Sequence, residues 1–263
     1  VFKALTSFDP ERKPIKIAAG GEAVDPSIKA GSKAGLTKSV TSQVDQLLGK
    51  LKATKAISPS IKAELRKILS GFSPEVLEKL LHIKGVDIVL NDMAQSWRKL
   101  QGGKFQLQYF ADHLAEGTSI VKFEVKEEVK FGEKTIARIY DIVEQSRKGL
   151  THYELKNWSG WQSWSSKAFR EQFLKDLAAM AEGKRIKWVF SGHKMSREEL
   201  KRKIIEALQD DKWKAQLTSM MQDLSDKSSL ETIFGSEIGD AESLIKAIDE
   251  HDTIFDFLFE ITK

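Results

Sequence analysis

RIYDIVEQSRKGLTHYELKNWSGWQSW, residues 138–164, decides how the chain is read. Residues 138–144 are rich in β-branched and aromatic side chains, as strands are. Residues 145–149 supply turn chemistry closed by a glycine. Residues 150–158 read as the second strand of a hairpin. Side chains alternate along a strand, so His152, Glu154 and Lys156 share one face, and Tyr153 and Leu155 take the other. Asp141 stands mid-strand among apolar neighbours, where a carboxylate is costly unless it binds something. An acid on one strand and Glu-x-Lys on the next suit a metal-dependent phosphodiesterase. Two carboxylates hold a hard cation through oxygen. The cation polarises a phosphate and lowers the pKa of a bound water. A lysine beside it positions that water and stabilises developing negative charge. The plain alternative is an amphipathic hairpin carrying ordinary salt bridges.

Asp141 followed by Glu154-Leu155-Lys156 resembles the PD-(D/E)xK nuclease superfamily, with Tyr140 where the superfamily's proline falls. The resemblance implies an α+β fold: a mixed β-sheet flanked by helices, preceded here by a helical N-terminal region. It implies that Asp141 and Glu154 bind a divalent metal and that Lys156 assists the attacking water. Mg²⁺ or Mn²⁺ is the expected cation, with Zn²⁺ a further candidate. Residues 104–116 read as a helix with Phe105 and Tyr109 facing inward, where the superfamily places its first core helix. That helix often donates a glutamate to the metal. Gln106 and Gln108 stand in its place, and an amide reaches a phosphate or a metal-bound water without adding charge. Gln106 is taken as the supporting site residue.

A wider likeness covers residues 104–192. FQLQYF, YDIVE, YELKNW and an F-x-x-x-F helix together resemble restriction-endonuclease-fold toxin domains at the ends of large secreted bacterial proteins, including contact-dependent inhibition toxins. That resemblance implies a nucleic acid substrate, with DNA favoured and RNA, transfer RNA above all, close behind. It also implies a cognate immunity protein, export as part of a larger protein, and action in a neighbouring cell's cytoplasm. Residues 1–100 would be a linker and helical delivery region, and residues 101–263 the nuclease domain with an acidic helical end.

Composition sets the outer bounds. A chain of 263 residues with 41% hydrophobic content can bury a sizeable core. No run approaches the ~20 apolar residues of a membrane span. With no cysteine, disulfides and thiolate metal sites are excluded. The first residue is Val, so a processed piece of something longer is expected, and no signal peptide opens it. The net charge of +4 is uneven: +7 over residues 1–100, +4 over 101–223 and −7 over 224–263. The first two blocks suit a polyanionic partner. The acidic end reads as a solvated helical face, or else as a cover over a basic cleft.

Along the chain, residues 1–40 show Pro, Gly and Ser clusters and no sustained period, as a linker would. Residues 41–70 suit two short helices broken at Ser58-Pro59. Ser73-Pro74-Glu75 starts a helix, and another is expected over 86–100. Residues 118–129 alternate as a strand. Trp158, Trp161 and Trp164 either stack on bases or pack a loop onto the core. Ser165-Ser166 can cap a helix over 167–181 whose apolar stripe is Phe169, Phe173, Leu177 and Met180. In the resembled fold this helix lends polar or basic residues to the cleft, which implies Lys167, Arg170 and Gln172 as nucleic-acid contacts beside Trp158; a charged helix face is otherwise just solvated. Residues 184–192 read as a strand, Ser196 to Glu199 as a capping-box start, and 212–263 as mostly helical with a docking run at 254–259. His152 is expected at the surface or at the edge of the site. No HExxH, phosphate loop, dinucleotide fingerprint or nucleophile elbow occurs. The rivals from other classes are a non-catalytic nucleic-acid- or partner-binding domain on a decayed nuclease fold, and a structural secretion adaptor.

Overall fold

The computed structural model describes residues 29–52, 57–115, 119–131, 134–146, 149–157, 165–192, 195–224, 226–235 and 238–262. The leader through residue 28 and the run holding Trp158, Trp161 and Trp164 lie outside the described residues. Five helices come first: α1 (Lys29–Gly49), α2 (Pro59–Ser70), α3 (Pro74–His82), α4 (Val86–Met93) and α5 (Trp97–Ala115). A meander follows, β1 (Ser119–Phe131), β2 (Lys134–Ser146) and β3 (Gly149–Lys156), then α6 (Ser166–Ala181) and β4 (Arg185–Ser191). The chain continues through α7 (Arg197–Leu208), α8 (Asp211–Asp223), α9 (Ser228–Phe234), α10 (Ala241–Glu250) and α11 (Asp252–Leu258) into β5 (Phe259–Thr262). The five strands form one sheet in the order β1-β2-β3-β4-β5. The first three pair antiparallel, and β4 and β5 add parallel to β3. The fold is therefore α+β, with helices on both faces of a mixed sheet.

Each face has its own apolar core. Phe169, Phe173 and Leu177 of α6 pack with Tyr140, Trp188 and Phe190 of the sheet, and α7–α11 extend that cluster. On the other face Val44, Leu47, Leu65, Leu80, Leu90 and Leu107 pack against Phe123, Ile142, Tyr153 and Val189. This second cluster runs without a break across residue 100. Polar ends are satisfied locally: the hydroxyls of Ser73, Ser165 and Ser196 accept the N–H groups of Val76, Ala168 and Glu199.

Three elements differ from expectation. Helix α1 begins at Lys29, inside the stretch read as linker because its sequence shows no sustained apolar period there; the helix joins the core through Val44, Leu47 and Leu48. The helix expected over 86–100 stops at Met93, and α5 starts at Trp97 and runs straight through Gly102-Gly103. Gly103 is there for packing: a Cβ would lie 2.1 Å from Cγ of buried Met93, so α4 and α5 cross in contact. The last expected helix gives way to β5, because the four residues find the free edge of β4.

A backbone hydrogen bond fastens the N-terminal helices to β1 near the start of α4. Phe123 N–H donates to the Lys84 carbonyl at 2.9 Å, and Gly85 takes a φ of +87° to let α4 start there. A Cβ on Gly85 would meet the Phe123 carbonyl oxygen at 2.1 Å. Gly85→Ala is therefore expected to cost about 2–4 kcal/mol. Urea unfolding measures it as a lowered midpoint with unchanged slope; a midpoint equal to wild type would sink the assignment.

Candidate active site

β2 and β3 pair from Ser146↔Gly149 to Ile142↔Tyr153 and then part. Beyond that point β2 continues beside β1 to Lys134, while β3 continues beside β4 to Lys156. Asp141 and Glu154 are the first residues past the fork. Asp141 is also where β2 changes phase. Tyr140 and Val143 belong to the core under α6, whereas Ile142 belongs to the opposite core. β1 changes phase beside it: Phe123 faces one core and Val125 packs against the other. Between them Glu124 holds φ at +49°, a left-handed conformation that non-glycine residues rarely take. Glu124 and Asp141 sit opposite each other, flanked by the pairs Phe123↔Ile142 and Val125↔Tyr140.

Gln106 joins these two carboxylates. Its amide Nε2 donates to Asp141 Oδ1 at 2.9 Å and to Glu124 Oε1 at 3.1 Å. The other Asp141 oxygen accepts the Leu155 N–H at 2.6 Å, so Asp141 spans the fork. Gln108 pairs instead with Asp112 on the exposed side of α5. Glu154, buried on the α6 side, accepts Lys156 Nζ at Oε1 and Arg138 Nη2 at Oε2, the latter at 2.8 Å. Arg138 in turn grips the fully buried Asp176 of α6, with Nε to Oδ1 at 2.7 Å and Nη2 to Oδ2 at 3.1 Å. The Trp188 indole N–H donates to Asp176 Oδ2 at 2.9 Å, and the Lys156 ammonium lies 5.1 Å from the Trp188 ring centroid.

The electrostatics follow from that layout. Burial and then the charge of Glu154 push Asp141 up to about 8, against the pull of Lys156 and the Leu155 N–H. Burial would raise Glu154 as well, but Lys156 and Arg138 outweigh it and hold that carboxyl below its usual range. Burial also raises Glu124, with Gln106 opposing. The site thus keeps one carboxylate that ionises readily beside another that resists ionising.

Among the described residues, no three His, Cys, Asp or Glu side chains are gathered as a metal cage. The donors at the fork are two interacting carboxylates, all oxygen. That set fits Mg²⁺ or Mn²⁺, which take one or two protein carboxylates and complete their shell with water and phosphate oxygens. It fits Zn²⁺ less well, since no histidine or cysteine joins it.

Lys167 and Arg170 pair away from the fork. Lys167 is exposed, with Nζ 3.9 Å from Glu171. Arg170 pairs with Asp210 at 3.2 Å and donates to the Ala207 carbonyl, bracing the α7–α8 connection instead of the fork. Gln172 is half-buried on α6. Trp158 is outside the described residues. His152 is neither at the surface nor in the site: it is buried, with ring nitrogens 3.1 Å from Glu127 and 3.3 Å from the Arg185 carbonyl. Sequence reading missed Glu124, Arg138 and Asp176. Asp176 had a signal, because it falls three residues after Phe173 and seven after Phe169, an acid inside the apolar stripe of α6.

No family model, curated protein or solved structure matches the chain.

A raised carboxyl pKa means that the folded state holds its proton more tightly than the unfolded chain does. Stability contributed by Asp141 is therefore lost as pH rises from its ordinary 3.8 through about 8. Glu154 has the opposite sign, and its contribution is lost as pH falls below its ordinary 4.5. Asp141→Asn should flatten the decline between about pH 5 and 8 without changing the acid limb. Urea midpoints at successive pH values measure both; parallel curves for variant and wild type would refute the placement of Asp141.

Proposed function

We propose that the protein is a metal-dependent nuclease that hydrolyses phosphodiester bonds at the fork between β2 and β3. The observation that carries this reading is the meeting of Asp141, Glu154, Lys156 and Gln106 where β2 and β3 part. A divalent cation bound by Asp141 and Glu154 would polarise the phosphate and supply a nucleophilic water. Lys156 orients that water and carries charge developing on the phosphate. Gln106 holds Asp141 towards the fork and can turn its amide to a phosphate oxygen. DNA is the favoured substrate and RNA, including transfer RNA, the second. The likeness of residues 104–192 to secreted nuclease toxins supports a toxin role with a cognate immunity protein, export within a larger protein, and action in a target cell's cytoplasm. Residues 1–100 would then serve delivery. No described helix is long and apolar enough to cross a membrane.

One observation favours a second reading, a nucleic-acid- or partner-binding domain on a decayed site: both oxygens of Glu154 already have cationic partners. Cleavage decides between them. Purified protein should cut plasmid DNA or total RNA with Mg²⁺ or Mn²⁺ and not with EDTA. Asp141→Ala and Lys156→Ala should each lose at least about a hundredfold. Wild type and variants that are folded yet equally inert on both polymers would overturn the nuclease reading in favour of binding.

A further inference from the structure

Arg138 uses its guanidinium more fully than a simple ion pair requires. Nε and Nη2 grip Asp176, Nη2 also reaches Glu154, and Nη1 donates to the Ile139 carbonyl at 2.6 Å. The side chains of Arg138, Glu154 and Asp176 are at most 6% exposed. Arg138 belongs to the β2 arm of the fork and Glu154 to the β3 arm, while Asp176 comes from α6 and is braced by Trp188 of β4. Arg138 and Asp176 alone would be charge-balanced. Adding Glu154 leaves a buried excess of one negative charge, which Lys156 offsets from the site side. Buried ion clusters are weak contributors to stability, because desolvation consumes most of their attraction. The arrangement does more for geometry than for stability: it fixes one oxygen of Glu154 and the spacing of the two arms.

We propose that Arg138, braced by Asp176, is a positioning residue for the candidate site: it holds Oε2 of Glu154 and leaves Oε1 to Lys156 and to the cation. This rests on the nuclease reading, in which Glu154 is a metal ligand. Residues that orient a ligand from behind typically change metal affinity by ten- to a hundredfold when altered. Lysine at position 138 would keep the charge but not the fork geometry that binds two carboxylates at once.

The test is titration with Mn²⁺ alone, followed by the paramagnetic resonance signal of the free ion, on variants shown to be folded by circular dichroism. Asp176→Asn should weaken Mn²⁺ binding about tenfold or more. Arg138→Lys should bind more tightly than Arg138→Gln, which loses the charge altogether. Should Asp176→Asn fail to fold, Arg138→Met combined with Asp176→Leu removes both charges without leaving either unpaired, and it should show the same weakening. A folded Asp176→Asn, or a folded double variant, that binds Mn²⁺ as wild type does would overturn the clamp. If that same wild type cuts nucleic acid, the clamp falls alone. If wild type neither binds Mn²⁺ nor cuts, the nuclease reading falls and takes the clamp with it.

Discussion

The contact of Arg138 with Glu154 and Asp176 is the constraint around which the sheet is organised. A sheet that splits between two strands exposes backbone groups, and the split would close or widen freely without a tie. Arg138 crosses it with charge-assisted hydrogen bonds, which are shorter and stronger than neutral ones. Its low-dielectric surroundings make each bond stronger and make the loss of any partner expensive. The guanidinium is driven towards permanent protonation: burial opposes the charge, but Asp176 and Glu154 prevail. Asp176 is lifted by burial, with Arg138 and Trp188 opposing. β2, β3, β4 and α6 therefore meet in one polar knot inside an otherwise apolar layer.

The simultaneous phase change of β1 and β2 explains where the polar side chains lie. On β1 Phe123 feeds the core built by α1–α5 and Val125 packs on the core under α6; on β2 Ile142 and Tyr140 divide in the same way about Asp141. Glu124 and Asp141 are left at the seam, committed to neither core and half-buried. At such a seam the carboxylates rely on a few neutral donors, the Gln106 amide for both and the Leu155 N–H for Asp141. The left-handed backbone at Glu124 is the local strain that this seam requires.

Much of this was legible. The meander, α6, β4 and the cap at Ser196 follow from alternation, apolar stripes and capping residues. Asp141, Glu154 and Lys156 were legible as candidates from their types and spacing in a hairpin, and Gln106 only through the resemblance. Glu124 was not, since residues 120–129 alternate cleanly and a positive φ leaves no mark on residue identity. Arg138 gave no signal because its partners lie 16 and 38 residues away. The expected helices over 86–100 and 104–116 left Gly102-Gly103 between them, and only the approach of Met93 shows why a glycine is needed inside α5. Arg170 looked available because its partners, Asp210 and the Ala207 carbonyl, come from elements far along the chain.

The outer edge of β4 has a history that its final pairing conceals. Its neighbour β5 lies far along the chain, with Thr262 bonding back to the Phe190 carbonyl across 72 positions. Five helices must be laid down between them before the edge is covered. Closing so long a loop adds little to the equilibrium penalty, which grows only with the logarithm of length. It does delay the event, because distant pairings form late. Until then Val189 and Phe190 present an apolar, unpaired strand beside the fork, a template for any other extended chain. The chain is thus most open to misassembly next to its most chemically loaded strand, in the interval before β5 pairs.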